Sequence, residues 1–239
     1  PPAFGPYRLT RLLGEGGMGV VYQAVRDDLG SVAAINAEDA ADFHRAHWRP
    51  DRAVLVIAGD ITAEQGFALA RRHFGDWARP ANAAPSFPDA TNYAAGNRTI
   101  VVDLPETGQA AVQLGLRGLA RTDSDYFPAL VANEILGGGS ASRLFQEVRT
   151  RRGLSYGAYS SLASTRRAPG PIIASAQTRN DAAVQVVEVM EAELDRIGAG
   201  EPDAAELAAR QATLIGEFGR GVETTAGVAN QLSILASLG

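Results

Sequence analysis

A segment with three prolines and no hydrophobic periodicity, residues 78–97, divides this chain into two parts. It reads ARPANAAPSFPDATNYAAGN, and proline in such a composition interrupts both helices and strands. We therefore predict a linker here, with a separate group of packed elements on each side. The 239 residues are enough for one large domain or two small ones, each with a buried core.

Before the linker, the spacing of polar and apolar residues predicts two helices and one strand. Two capping boxes, Asn36–Asp39 and Thr62–Gln65, mark the starts of helices, and the second helix is predicted to reach about Phe74. Between them AVLVIAG, residues 53–59, is an uninterrupted apolar run of strand length. Such runs are typical of buried strands, so we predict one at 53–59.

After the linker, strands and helices alternate in a pattern typical of α+β domains. Strands are predicted at 98–104 and 110–116 and in LSYGAYSSLAS and PIIASAQT, which would pair with each other. Helices are predicted from Asp123 or Ser124 to Gly137, from a Ser140 cap to a left-handed Gly153, over 181–197, from Pro202 to about 218 and over 223–237. The predicted fold class is therefore α+β: a mixed, mostly antiparallel sheet with helices packed on one face, preceded by a short β-hairpin.

Charge and composition exclude several classes of partner and site. The net charge is −5 and basic residues cluster no further than short pairs such as Arg71–Arg72, which argues against nucleic acid. No apolar run is long enough to cross a bilayer, so no membrane partner is predicted. The absence of cysteine excludes disulfides and thiolate metal sites. The start, PPAFGPYRLT, lacks the pattern of a signal peptide, which favours a cytoplasmic chain as it stands.

A glycine-rich loop lies near the start of the chain, in LLGEGGMGVVYQAVRDDLG at residues 12–30. Gly14, Gly16 and Gly19 form G-x-G-x-x-G between two predicted strands. Across residues 6–29 this arrangement resembles the first two strands of a bacterial Ser/Thr protein kinase. It does not resemble a dinucleotide-binding fold, because a strand and not a helix follows the loop.

The rest of the chain lacks the partners that a kinase loop requires. Phosphoryl transfer needs a strand lysine on the phosphates and carboxylates on Mg²⁺, in H-R-D and D-F-G motifs. All 22 basic residues of this chain are arginine, and neither motif occurs. We therefore interpret the hairpin as a segment inherited without its function. A nucleotide-binding module derived from a kinase N-lobe is kept as the alternative.

The three histidines do not form a recognisable metal site. His44 and His47 are three residues apart on a predicted helix, but no third ligand follows at helical spacing. Neither H-E-x-x-H nor H-x-x-E-H occurs in the sequence. We interpret these histidines as helix-surface residues and predict no metal ligand in the chain.

The most specific string is ILGGGSASRLFQEVRTRRGLSYGAYSSL, residues 135–162. It resembles the L-G-G-x-x-S-x-R-L-F-x-x-x-R-x-x-x-G-L-x-Y string of pitrilysin/insulinase-type zinc peptidases, the group that includes mitochondrial processing peptidase. FHRAHWRPDRAVLVIAGDIT followed by RRHFGDW, and LPETGQAAVQLGL, resemble further segments of the same family. The resemblance extends over about residues 31–239.

The resemblance implies a domain organisation. It predicts a kinase-like hairpin segment at 1–30, the tail of a first peptidase-type domain at 31–77, the linker at 78–97 and a truncated second domain at 98–239. Active subunits of the family carry H-x-x-E-H and a distant Glu that bind zinc, and that segment is missing here. Zinc is therefore expected only in an active partner half, and this chain is expected to be inactive alone. Bacterial members of the family are often periplasmic, which leaves the location open.

In the non-catalytic halves of this family, an Arg and a Tyr seven residues apart contact the substrate backbone near the scissile bond. Arg149 and Tyr156 match that string and spacing, so the resemblance assigns them to substrate binding. Both side chains are donors suited to a carbonyl oxygen that gains negative charge. By contrast, Arg143 is interpreted as a helix anchor and Gly137–Gly139 as a tight turn. Tyr159, by strand alternation, should face away from Tyr156.

These observations combine into one functional hypothesis and two alternatives. The chain is predicted to be the non-catalytic half of a pitrilysin/insulinase-type metallopeptidase, which binds a peptide or unfolded protein and closes over an active half in a hetero- or homo-oligomer. The alternatives are the nucleotide-binding module and a peptide-binding scaffold without chemistry.

Overall fold

A computed structural model describes residues 36–85, 98–102, 107–164, 168–200 and 202–238, together with the backbone of three strands within residues 3–26. The chain forms two compact units. One contains Pro1–Ala53 and Gly75–Thr107, and the other contains Val54–Phe74 and Gly108–Gly239. The domain boundaries expected from the family resemblance stay predictions beside this division.

The first unit is built on a four-stranded sheet in the order β1-β2-β3-β4. The strands are β1 (Ala3–Phe4), β2 (Tyr7–Gly16), β3 (Gly19–Arg26) and β4 (Arg98–Val101). Strands β2 and β3 form the predicted antiparallel hairpin, with the glycine-rich loop at its end. Of the predicted strand at 98–104, Arg98–Val101 is observed as β4, which pairs in parallel with β3.

The same unit contains helix α1 (Ala37–His47), followed by a 3₁₀ turn at Pro50–Arg52. The predicted capping box is present, since Asn36 Oδ1 accepts from the backbone N–H of Asp39 at 3.1 Å and Asp39 Oδ2 accepts from that of Asn36 at 2.9 Å. These bonds satisfy backbone donors that the first helical turn leaves free.

The predicted buried strand over 53–59 is wrong. Residues 53–58 have no regular structure, and the side chains of Val54, Leu55 and Ile57 are exposed. A run of apolar residues fixes strand propensity, but a strand also needs a neighbour for its backbone N–H and C=O groups. Neither described sheet includes this segment.

Helix α2 (Ala63–Phe74) follows and ends at the predicted residue. Its capping box is observed as well: Thr62 Oγ1 accepts from the backbone N–H of Gln65, and Gln65 Oε1 accepts from that of Thr62. Both capping boxes could be predicted from the sequence because their hydrogen bonds join residues only three positions apart.

The second unit is organised around a three-stranded antiparallel sheet in the order β5-β7-β6. The strands are β5 (Ala110–Arg117), β6 (Ser155–Ser164) and β7 (Pro169–Thr178). Besides α2, the described helices of this unit are α3 (Tyr126–Gly137), α4 (Arg143–Phe145, continued by a π-helix at Gln146–Arg151), α5 (Ala183–Ala199, after a 3₁₀ turn at Asn180–Ala182), α6 (Ala204–Gly221) and α7 (Thr225–Leu238). None of the helices in the described ranges is long and apolar enough to cross a membrane.

One face of this sheet carries the core of the unit. Alternate strand residues pack against helices α3, α4 and α5, and their cluster contains Val112, Leu136, Leu144, Val148, Leu154, Ala158, Ala174, Ala176, Ala182, Val186 and Met190. The small strand residues let the larger helix side chains approach the sheet closely. The predicted α+β fold, with helices on one face of a mostly antiparallel sheet, is confirmed.

All five helix starts predicted after the linker differ from the observed ones, and α5 and α7 each begin two residues later than expected. Helix α3 begins at Tyr126, two to three residues later than expected, although Pro128 lies in its first turn as predicted. Ser142 and not Ser140 precedes α4, and its hydroxyl makes no capping bond. Pro202 lies before the cap of α6, because Asp203 Oδ1 accepts from the backbone N–H of Ala205. Each stretch contains several competent caps, and tertiary packing selects one.

Candidate functional site

The site predicted at Arg149 and Tyr156 lies where a helix ends and an edge strand begins. Gly153 separates the two elements with φ +61°, the left-handed conformation predicted for it. Its backbone N–H donates to the carbonyl of Arg149 at 3.0 Å, and that of Leu154 donates to the carbonyl of Val148 at 2.9 Å. The chain reverses sharply here, which brings the end of the helix beside the start of β6.

The helix that carries Arg149 is a π-helix over Gln146–Arg151. The sequence predicted an α-helix from 140 to 152. The structure corrects this prediction, because residues 146–151 form a wider π-helix. Such turns insert one residue per turn and occur often at functional sites. Within this turn Val148 points into the core at 0% exposure, while Arg149 remains exposed.

Arg149 is exposed but held in place by two contacts. Its Nη1 donates to the backbone carbonyl oxygen of Tyr156 at 2.7 Å. Its guanidinium carbon also lies 5.1 Å from the centre of the Phe145 ring, within the range of a cation–π contact. Phe145 itself is only 8% exposed, so its ring is held by packing. Contact with this ring restricts the long Arg149 side chain.

Strand β6 begins with a β-bulge, and Tyr156 lies in it. Ser155 pairs with Thr178 and Ala158 with Ala176, so two residues of β6, Tyr156 and Gly157, stand opposite a single residue of β7. The Ser155 side chain closes the bulge: its oxygen accepts from the backbone N–H of Gly157 at 3.2 Å, and its O–H donates to the carbonyl of Gln177 at 2.5 Å. The Tyr156 side chain is 87% exposed.

The prediction that Tyr159 faces away from Tyr156 is wrong, because the bulge interrupts the alternation on which it rested. With one extra residue in the strand, Tyr156 lies on the exposed side together with Tyr159, which is 46% exposed. The Tyr159 ring centre lies 5.7 Å from that of Phe145. A Cβ at Gly157 would lie 2.5 Å from the Tyr159 ring, so the ring covers that glycine.

The structure therefore connects Arg149 and Tyr156 through a backbone carbonyl. The guanidinium binds the tyrosine's carbonyl oxygen, and the phenol extends outward from the same rim. Phe145 was not predicted as part of the site. Its position four residues before Arg149, one helical turn away, is the signal that could have indicated it.

Glu147 fixes the helix from its buried side. This residue is 6% exposed and forms ion pairs with Arg151 and Arg152. The hydrogen bond from Arg152 lowers the pKa of the Glu147 carboxyl, against the opposing effect of burial, and the charge of Arg151 lowers it further. The two arginines before Gly153 are thereby tied to the helix, so Arg149 is the arginine of this segment that extends from the rim.

Two residues near the site are confirmed as structural. Arg143 anchors its helix, since Nε and Nη2 donate to the two carboxylate oxygens of Glu206 in α6 at 3.0 and 2.6 Å. This bond lowers the pKa of the Glu206 carboxyl. Gly137 permits a close approach, because a Cβ there would lie 2.1 Å from the backbone nitrogen of Ser160. The interpretation of Gly137–Gly139 as a tight turn follows from the same packing.

Glu134 is a buried carboxylate in α3, with 7% exposure. Burial raises its pKa, and the charge of Glu217 raises it further, while Arg210 lowers it. Its carboxylate lies over Gly138, where a Cβ would be 1.9 Å from an oxygen. Glu134 therefore lies at the Gly137–Gly139 turn and is not part of the Arg149–Tyr156 rim.

The described residues do not fit a zinc site. Within them, no group of three or more His, Asp or Glu side chains could hold a metal ion. His44 stacks on Trp48 with ring centres 5.7 Å apart, and His47 lies 4.4 Å from the Phe43 ring. The sequence also lacks H-x-x-E-H.

Comparison with protein families gives one clear match over most of the chain. The family model described as the peptidase M16 inactive domain matches residues 34–214. The match begins after the glycine-rich loop and includes both elements of the Arg149–Tyr156 rim. The kinase-like segment lies outside it.

Similar proteins come from several bacteria. An uncharacterized zinc protease of Mycobacterium leprae is 33% identical over 161 residues, which are 67% of this chain and 35% of that protein. An uncharacterized zinc protease of Streptomyces coelicolor is 41% identical over 144 residues, 56% of this chain and 31% of that protein. The chain thus spans about a third of the length of these curated relatives.

Solved structures share the fold. A protease from Helicobacter pylori superposes with a TM-score of 0.78 at 20% identity, covering 86% of this chain and 50% of that one. The peptidase M16 inactive domain from Pseudomonas fluorescens superposes with a TM-score of 0.65 at 23% identity, covering 90% of this chain and 50% of that one. At these identities the likeness concerns the fold.

Proposed function

The chain belongs to the pitrilysin/insulinase-type peptidases through the M16 inactive domain, and from this we propose that it binds extended peptide substrate and closes over an active partner half. It carries no catalytic motif of its own. In this proposal zinc and water activation come from the partner, and this chain supplies binding groups to the substrate backbone.

The observation that carries the proposal is the Arg149–Tyr156 rim. A guanidinium fixed by a carbonyl at 2.7 Å and by an aromatic ring remains exposed beside a phenol that is 87% exposed. Packing usually buries most of a tyrosine ring. The exposed ring of Tyr156, directed outward at a bulge, is therefore a candidate binding group. Exposure and fixation together are what a binding group needs.

The chemistry of the two donors suits a peptide carbonyl. Arg149 uses one N–H for the Tyr156 carbonyl and has four further N–H groups. The Tyr156 hydroxyl can donate to the same substrate or to a neighbouring carbonyl. Both bonds would strengthen as a carbonyl oxygen gains negative charge when the partner's nucleophile adds to it. The proposed role is therefore binding in the ground state and additional stabilisation in the transition state.

Peptide binding by the full chain tests the proposal. A fluorescein-labelled, unstructured peptide is titrated with wild type, Arg149→Ala and Tyr156→Phe, and anisotropy is recorded. Losing a charged donor should weaken binding about tenfold, and losing the hydroxyl about threefold. Arg220→Ala, which removes the same charge from an exposed position on α6, is the matched control and should bind like wild type.

Three results would contradict the proposal. One is an absence of saturable peptide binding by wild type. Another is equal affinity for wild type and the Arg149→Ala, Tyr156→Phe double variant. The third is an equal loss in the Arg220→Ala control, which would reduce the effect to net charge. A scaffold without chemistry would bind peptide but leave cleavage by an added active half unchanged in the double variant.

A further inference from the structure

The face of the β5-β7-β6 sheet opposite the core carries two cross-strand rows of side chains. In one row Gln113, Ser175 and Tyr159 are direct partners across the three strands. In the next row Ala111 pairs with Gln177, which stands opposite the bulge at Gly157. Direct partners on one face lie close enough for their side chains to form one surface.

The sizes of these side chains make the surface a groove. Ser175 is small and central, and it lies between the longer Gln113 on one side and the Tyr159 ring on the other. The ring leans over Gly157, which has no side chain to displace it. An open cavity of about 350 Å³ is lined by these residues together with Ala111 and Gln177. A volume of this order accommodates one large side chain.

The groove is uncharged, and this restricts its occupant. Its polar groups are two amides, one hydroxyl and one phenol, which hydrogen-bond to neutral peptide groups without favouring an ion. A carboxylate or ammonium placed here would lose hydration without gaining a counter-charge.

We propose that this groove is a side-chain subsite for the peptide, and that it takes a large uncharged residue, preferably aromatic, against the Tyr159 ring. The inference rests on the proposed peptide-binding function. The groove is continuous with the Arg149–Tyr156 rim. The ring centres of Tyr159 and Phe145 are 5.7 Å apart, and the Arg149 guanidinium carbon lies 5.1 Å from the Phe145 ring centre. A residue that occupies the groove therefore lies next to the part of the backbone that Arg149 binds.

A peptide series measured with the full chain tests this subsite. Three labelled peptides differ only at one central residue, which is phenylalanine, alanine or glutamate. Wild type should prefer phenylalanine over alanine about tenfold and bind the glutamate peptide most weakly. Tyr159→Ala should abolish the phenylalanine preference. The ratio of affinities is the readout, because losing the Phe145 contact can also weaken binding of every peptide.

A gain of function at Gln113 provides a second variant that does not touch the rim. Gln113→Lys places a cation in the groove and should raise affinity for the glutamate peptide severalfold relative to the alanine peptide. Ser161→Ala, on the same exposed side of β6 but outside the groove, is the matched control and should leave all ratios unchanged. This variant also decides the matter if Tyr159→Ala does not fold.

The outcomes separate the two proposals. If wild type binds the peptides through Arg149 but shows no preference, or if neither variant alters the ratios, the subsite is overturned and peptide binding stands. If no peptide binds, both fail. A central benzoylphenylalanine should crosslink to 110–117, 155–164 or 169–178 on irradiation, and adducts confined to other parts of the chain would also overturn the subsite.

Discussion

Gly153 is the residue on which the geometry of the rim depends most directly. Its φ of +61° reverses the chain between the π-helix and β6. A side chain would meet nothing within 4 Å there, so steric contact does not enter. Gly153→Ala should therefore cost about 1 kcal/mol of unfolding free energy, the conformational penalty of a left-handed alanine, when measured by urea denaturation.

The matched control is Gly139→Ala. That glycine also has open space around its Cβ position, but its φ is outside the left-handed region. Its replacement should change the free energy by no more than a few tenths of a kcal/mol. Equal losses for the two variants would mean that the left-handed backbone is not what Gly153 contributes.

The helices α3 and α6 carry two carboxyls with opposite pKa shifts, and these predict opposite pH dependences. In the folded state Arg143 lowers the pKa of Glu206, so this group stabilises the fold above its unfolded pKa of about 4.3 and loses that contribution as pH falls through the folded value. Glu206→Gln should be about 1 kcal/mol less stable than wild type at neutral pH, with the deficit shrinking at about pH 4 and below.

The pKa of Glu134 is shifted in the opposite direction, so its effect on stability depends on pH in the opposite way. Burial raises its folded pKa, so the ionised form is penalised at neutral pH, and stability from this group increases as pH falls through the folded value. Glu134→Gln should be at least as stable as wild type at neutral pH, with any advantage disappearing toward about pH 4. Urea midpoints of both variants at the two pH values provide the measurement. The same sign of change for the two variants would contradict the assignment.

At the scale of elements, the predictable features are those fixed by nearby residues. The capping boxes at Asn36–Asp39 and Thr62–Gln65 and the left-handed Gly153 each depend on contacts within a few residues, and all three are observed. The π-helix and the bulge were not predictable in this way. The bulge exists only in the register with β7, so the direction of Tyr156 and Tyr159 follows from a pairing that the local sequence does not contain.

The same distinction applies within the site. Arg149 and Tyr156 could be selected from the string around Gly153, but their connection through the Tyr156 carbonyl could not. It depends on how far the π-helix turns the arginine toward the strand. The run at 53–59 failed for the related reason that strand formation requires a neighbour, which apolar composition does not supply.

At the scale of the whole molecule, the proposal predicts that the purified chain is free of zinc and does not cut peptides. Elemental analysis should find far less than one zinc per chain, because no described group of ligands fits the ion and H-x-x-E-H is absent. Cleavage of a quenched fluorescent peptide should require an added chain that contains H-x-x-E-H. Stoichiometric zinc with cleavage by this chain alone would falsify the assignment as a non-catalytic half.

With an active chain added, the kinetic pattern identifies what Arg149 does. If the guanidinium also stabilises charge that develops in the transition state, Arg149→Ala should lower kcat about tenfold in addition to raising KM through the weaker binding expected above. An increase in KM alone would assign it to ground-state binding. Arg220→Ala again serves as the charge-matched control and should leave both constants unchanged.

The bulge at the start of β6 has a consequence for solubility. Among the strands that the structure describes in this sheet, β6 is an outer one, and a regular outer strand offers its backbone to any other unpaired strand. The bulge at 156–157 interrupts the regular spacing of the β6 backbone donors and acceptors, and the Tyr156 carbonyl is already bonded to Arg149. The irregularity that exposes Tyr156 therefore also makes this end of the sheet a poor template for aggregation.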